Sequence, residues 1–121
     1  MTGREIIERV DELCPNDYEE EQKLRWLSSL DGQIFHEVIS THEDAERDSF
    51  EPYEDGEETL LVPWPYGEDL YCWYLQAMIA AENAEAYKFQ QLSALYNGAL
   101  QQYTARYNRE HLPDGGRRFR F

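Results

Sequence analysis

Apolar residues return every three or four positions in four separate stretches of this chain, a period that buries side chains only as helices packed against one another. In the clearest stretch Leu24, Leu27, Leu30, Ile34 and Val38 mark one helical face. Trp26, Phe35 and Ile39 widen that face beyond a single seam, so this helix is expected to be covered on more than one side. Gly32 lies inside it and weakens it by roughly 1 kcal/mol relative to alanine. A shorter helix precedes it: Thr2 and Glu5 have the spacing of a capping box, Ile6, Ile7, Val10 and Leu13 share a face, and Pro15 ends it. Glu8, Arg9, Asp11 and Glu12 are expected on its wet side, and Asp17 is the predicted N-cap of the helix that follows, with Glu19, Glu20 and Glu21 near the positive end of its dipole.

Leu70, Tyr71, Trp73, Tyr74, Ala77, Met78 and Ala81 form a band too broad for one exposed surface, which predicts a central third helix capped near Asp69. Pro63 and Pro65 bar regular structure just before it. Asn83 is a break, after which Tyr87, Leu92, Leu95, Tyr96, Ala99, Tyr103 and Tyr107 carry a longer fourth helix to about His111. With 121 residues the chain is long enough for one modest core. The expected fold is mainly α: a four-helix bundle-like single domain over residues 1–113, with an acidic loop or short hairpin between helices 2 and 3, and an extended C-terminal arm over residues 114–121.

The formal charge of -14 disfavours passive approach to nucleic-acid phosphates and favours basic or weakly charged partners. No stretch of about 18 apolar residues is present and the first residues lack the apolar core of a signal peptide, so no membrane role is expected and the chain is read as made in a cytoplasm. Cys14 and Cys72 belong to no CxxC pair and are expected to be reduced, with Cys72 packed as a small apolar side chain.

Charge concentrates between Glu43 and Glu58, where nine acidic residues face one basic residue, Arg47. Phe50 and Tyr53 flank Pro52, and Asp55-Gly56 is a turn dipeptide, so this segment is expected to be a solvated loop or a short hairpin closing on Thr59 to Val62. Its carboxylates Glu51, Glu54, Asp55, Glu57 and Glu58 are candidates for a surface that meets a basic partner. The spacing lacks the oxygen ligands of an EF-hand, and His36-Glu37 with His42-Glu43 only imitates a metal cluster. With no phosphate-cradling glycine loop, nucleophile elbow or HExxH helix, no catalytic residue, metal or cofactor is assigned and the chain is not expected to be an enzyme.

The last residues, Arg117, Arg118, Phe119, Arg120 and Phe121, alternate cation and aromatic with the period of an extended strand. Such a segment on an acidic protein is complementary to an acidic face, on its own domain or on another copy.

The ordered run Lys23-Leu24-Arg25-Trp26-Leu27-Ser28-Ser29-Leu30-Asp31-Gly32, then Thr41-His42-Glu43-Asp44, Leu60-Leu61-Val62-Pro63-Trp64-Pro65-Tyr66, Tyr107-Asn108-Arg109 and the basic-aromatic tail resembles the head-to-tail connector, or adaptor, proteins of tailed bacteriophages and prophages. The resemblance spans nearly the whole chain. It implies a structural virion protein, made in the bacterial host cytoplasm and located in the neck. Copies of it would form a homo-oligomeric ring on the portal protein, meeting tail or stopper proteins and extending a channel through which DNA passes without specific binding. An anionic wall would limit DNA adhesion there, so neutralising Glu54, Asp55, Glu57 and Glu58 is expected to leave folding intact but slow ejection or spoil assembly. The alternative expectation is an acidic inhibitor, an immunity protein or DNA mimic that occupies a basic protein surface. Charge fits it equally well, and the arginine-rich arm fits it less well.

Overall fold

The computed structural model describes residues 1–41 and 49–110. Four α-helices, α1 (Gly3–Leu13), α2 (Glu20–Glu37), α3 (Gly67–Glu82) and α4 (Ala86–Glu110), carry the fold, with a 3-10 turn at Ile39–Thr41. No strand occurs among the described residues, and the chain is a small, mainly helical single domain. Helix α3 is central, packed on α1, α2 and α4. Leu70, Tyr71 and Leu75 have no accessible surface, and they meet Val10 of α1 and Leu27 of α2 in one continuous core.

The capping box at the start of α1 is formed. Glu5 N–H donates to Thr2 Oγ1 at 3.2 Å and Thr2 N–H returns a bond to Glu5 Oε1 at 2.9 Å. These bonds, the one from the Thr2 backbone foremost, hold the Glu5 carboxyl below its ordinary value. Asp11 keeps 43 % of its side-chain surface exposed and still neutralises Lys23, which is buried and whose ammonium lies 2.6 Å from Asp11 Oδ1.

The start of α2 differs from expectation. Asn16 Oδ1 accepts from Tyr18 N–H at 3.1 Å, and its amide reaches Asp11 and the Cys14 carbonyl. This Asx turn keeps the chain extended, so α2 begins at Glu20 behind Glu19 and Asp17 caps nothing. Gly32 does not interrupt α2, since Leu30, Asp31, Ile34 and Phe35 around it are all buried. Likewise α3 opens at Gly67, two positions before Asp69, because the Pro63 carbonyl accepts from both Tyr66 N–H (3.0 Å) and Gly67 N–H (2.9 Å). The Trp64–Pro65 peptide in this turn is cis.

Helices α3 and α4 join through a Schellman motif. Glu85 N–H bonds to Ala80 O at 2.9 Å and Ala84 N–H to Ala81 O at 3.1 Å, with Ala84 in the left-handed region at φ 58°. That conformation costs an alanine about 1–2 kcal/mol. Ala84→Gly is therefore expected to stabilise the protein by roughly 0.5–1 kcal/mol net of the greater chain entropy of glycine, measured as a higher denaturant midpoint at unchanged slope.

Candidate functional site

The loop between α2 and α3 is built inward as much as outward. Asp31 on α2 is fully buried, and among the described residues its carboxylate accepts from the Tyr71 hydroxyl of α3 at 2.6 Å, Leu61 N–H at 3.0 Å and the Tyr53 hydroxyl. Tyr71 in turn accepts Val62 N–H at 2.9 Å, so one carboxylate and one phenol pin both ends of the segment 53–62 to the helices. Burial, and then the Asp31 charge, push the Tyr71 hydroxyl well above its ordinary value, which keeps it protonated and donating. Tyr53 N–H also bonds to Ser28 Oγ at 2.8 Å, and Phe50 stacks near Phe35 with ring centroids 6.4 Å apart.

Among the described residues the loop pairs with the N-terminus and forms no hairpin with itself. Thr59 makes an antiparallel bridge to Thr2, Leu60 N–H donates to Met1 O at 2.9 Å, and Arg4 N–H donates to Gly56 O at 2.9 Å. Gly56 stands at φ +83°, the left-handed region a turn demands here, with the Arg4 backbone close against it. The Arg4 guanidinium binds Glu20, Glu57 and the Asp55 carbonyl. Glu58 accepts from Glu54 N–H at 2.6 Å and Gly56 N–H at 3.0 Å, and Asp55 Oδ1 accepts from Glu57 N–H at 2.8 Å.

Of the candidate carboxylates, Glu51, Glu54, Asp55 and Glu57 are exposed and Glu58 is half-buried. All five lie on one loop, but Asp55, Glu57 and Glu58 also hold that loop together, a role that spacing alone does not reveal. The backbone amide of Glu54 is the main cause that keeps the Glu58 carboxyl below its ordinary value near 4.5. A depressed carboxylate stabilises the folded form above the unfolded-state pKa, and that contribution is lost as pH falls through the folded value. Amide exchange at Glu54 and Gly56 is accordingly expected to accelerate relative to the core once the pH drops below about 4.5, as monitored by hydrogen-exchange NMR.

The candidate arm residues Arg117, Arg118, Phe119, Arg120 and Phe121 lie outside the described residues, as do His42 and Glu43. Among the described residues no group of three or more His, Cys, Asp or Glu side chains is placed to hold a metal ion. No helix there is long and apolar enough to cross a membrane. Cys14 and Cys72 are both free thiols; Cys72 is buried and its thiol is pushed up to about 11, mainly by desolvation, so it is protonated at neutral pH.

The end of the same connection, with α3 and α4, lines a groove that periodicity did not reveal. Helix α4 has 25 residues but buries only Tyr103 and Tyr107, while Tyr87, Phe89 and Leu95 are exposed. Two adjoining hollows of about 300 and 200 Å³ run between α3, α4 and the 63–66 turn, sharing Pro65 and Tyr66 as a common wall. Trp64 stands at their edge with 80 % of its surface exposed. The available signal was this tryptophan between two prolines, Pro63 and Pro65, in a segment barred from regular structure.

Comparison with protein-family models, curated proteins and solved structures returned no match.

Proposed function

We propose that this protein works by binding other proteins rather than by catalysis, as a structural subunit that assembles into a ring at the portal–tail junction of a tailed phage or prophage. The observation that carries the reading is α4, a 25-residue helix that buries no residue before Tyr103 and turns Tyr87, Phe89 and Leu95 outward. A helix packed on one side only, with aromatic and aliphatic residues on the other, is suited to a neighbouring subunit. The loop bearing Glu51, Glu54, Asp55 and Glu57, all exposed, presents a carboxylate edge. In a ring that edge would repel passing DNA phosphates.

The inhibitor reading draws on the same charge, but the loop bonds weigh against it. Glu57 faces Arg4, and Glu58 and Asp55 accept backbone amides, which leaves fewer carboxylates available to mimic phosphates.

Native mass spectrometry across a concentration series, alone and with portal complexes, tests the proposal. The expected result is a discrete high-order ring, free or on the portal. A chain that stays monomeric, ignores portal and instead binds a basic enzyme would replace it with the inhibitor reading. For the channel charge, Glu51→Gln with Glu54→Gln is the informative pair, since their carboxylates do not carry the Glu58 and Asp55 bonds that hold the loop. Slower DNA ejection with an unchanged melting temperature is expected, and unchanged ejection would remove the channel role.

A further inference from the structure

We infer that the outer face of α4 is covered by the α4 of a second copy of this chain, the two helices running antiparallel about a two-fold axis near Gly98. The inference rests on the reading of α4 as a contact between copies, though not on the portal, and names the surface that α4 meets.

The first observation is charge. From Phe89 to Ala105, about 25 Å of helix at 1.5 Å per residue, no residue is charged, in a chain where 30% of residues are. The exposed faces of the first two helices differ: α1 carries Glu8, Arg9 and Glu12 there, and α2 carries Glu20, Glu21 and Glu37. Depletion of charge marks the core of a contact between proteins. A basic partner would find nothing on this stretch to attract it. Two copies of a chain with formal charge -14 repel one another wherever their carboxylates face, so a neutral face is where they can close.

Spacing is the second. Tyr87, Gln91, Ala94, Gly98, Gln101 and Ala105 recur at alternating steps of four and three along α4, and all are exposed. That spacing keeps one seam of a helix turned toward a partner helix at a shallow crossing angle. A Cβ on Gly98 would meet nothing within 4 Å in its own chain, and with small Ala94 and Ala105 on the same seam a second backbone can approach closely. The glutamines both donate and accept hydrogen bonds, so they can pair with their own kind across a two-fold axis.

The charges at the two ends of α4 set the direction. Glu82 and Glu85 stand just before the helix, and Arg109 lies in its last turn, all exposed. Antiparallel helices centred on Gly98 bring Arg109 of each copy opposite Tyr87 and the Glu85 end of the other. There the Tyr87 ring, 74% accessible, offers its face to the guanidinium. Parallel helices would instead set Arg109 against Arg109 and Glu85 against Glu85. The contact closes at two copies, so it covers α4 in the free protein, and entry into a ring would exchange it for a neighbour's surface.

Sedimentation equilibrium of the free full-length chain tests the contact. A dimer is expected. Gly98→Glu, for which the chain's own fold has room, should raise the dissociation constant roughly tenfold or more by setting two like charges together at the axis, with the helical circular dichroism unchanged. Direction is read separately, from the spin-label distance in the Cys14→Ser/Lys88→Cys protein, where the remaining Cys72 is buried and stays unlabelled. Antiparallel helices place the labels roughly 30 Å apart along the axis at 1.5 Å per residue, against about 10 Å for parallel ones. A chain monomeric at every concentration, a dimer indifferent to Gly98→Glu, or labels lying side by side would each overturn the inference. If the free chain is monomeric yet forms a ring on portal, this inference falls and the connector reading stands. A dimer that is lost on Gly98→Glu, from a chain that makes no ring on portal, upholds this contact and removes the connector reading.

Discussion

Asp31→Ala is expected to lower the unfolding free energy by about 3–5 kcal/mol, a large share of the roughly 5–15 kcal/mol that stabilises a domain of this kind. The carboxylate has no accessible surface, and its removal takes the acceptor from the hydroxyls of Tyr71 and Tyr53 and the amide of Leu61. Bonds to a charged acceptor are the stronger kind, so three of them lost together exceed the cost of a simple cavity. Asp31→Asn keeps the shape but replaces one acceptor by a donor. Because Tyr71 already accepts from Val62, it cannot reverse its bond to suit, and a loss of about 2 kcal/mol is expected. Urea denaturation of Asp31→Ala, Tyr71→Phe and the double variant measures this directly. A coupling energy near zero would show that the pair does not act as one network.

Gly67→Ala is expected to cost about 3 kcal/mol or more, at the upper end of overpacking penalties. A Cβ on Gly67 would stand 2.1 Å from the Val62 carbonyl oxygen and 2.7 Å from Met1 Cε. The methionine can swing away, whereas the carbonyl belongs to a backbone held from both sides, by Tyr71 at the Val62 amide and by the 63–66 turn beyond it. Alanine is otherwise the better helix former, so propensity alone predicts a gain of about 1 kcal/mol. The sign of the measured change in melting temperature therefore decides between local preference and close approach. By contrast Gly98→Ala, where a Cβ meets nothing within 4 Å, should follow propensity and stabilise slightly.

The two substitutions bear on function through the same segment. The loop that carries Glu51, Glu54, Asp55 and Glu57 and the turn that presents Trp64 are consecutive in the chain, and both are anchored by Asp31, Tyr71 and the start of α3. Loosening that anchor would disturb the carboxylate edge and the groove together, so stability and assembly should fail in parallel in Asp31→Ala. The Glu51→Gln/Glu54→Gln pair should separate them.

The helices were legible in the sequence because their signals are local. The three- and four-residue recurrence of Ile6, Ile7 and Val10, and of Leu24, Leu27, Leu30 and Ile34, marks faces that are buried in the fold. The Thr2–Glu5 capping box depends only on spacing within one turn. Helix starts were less legible where the deciding bond is not a side-chain cap: the Asn16 turn delays α2, and the Pro63 carbonyl starts α3 early. The segment before α3 was the least legible. Its carboxylates and proline read as solvated, yet Phe50, Tyr53, Leu60 and Val62 pack into or against the core.

Asp31 is the sharpest example of what only the tertiary structure decides. In sequence it is one of 25 acidic residues, at a helix position next to a glycine, and nothing within a few residues of it marks it as buried. Its partners lie 22, 30 and 40 positions away. The groove is the same kind of feature, formed where Trp73 of α3, Gly98 of α4 and the turn at Pro65 meet. By itself the sequence determined the helical class, the core faces and the sign of the surface, because periodicity and charge act over one or two turns. Which carboxylate is buried, which carboxylates hold the loop and where a groove opens depend on contacts between distant residues, and those exist only once α1, α2 and α4 have packed on α3.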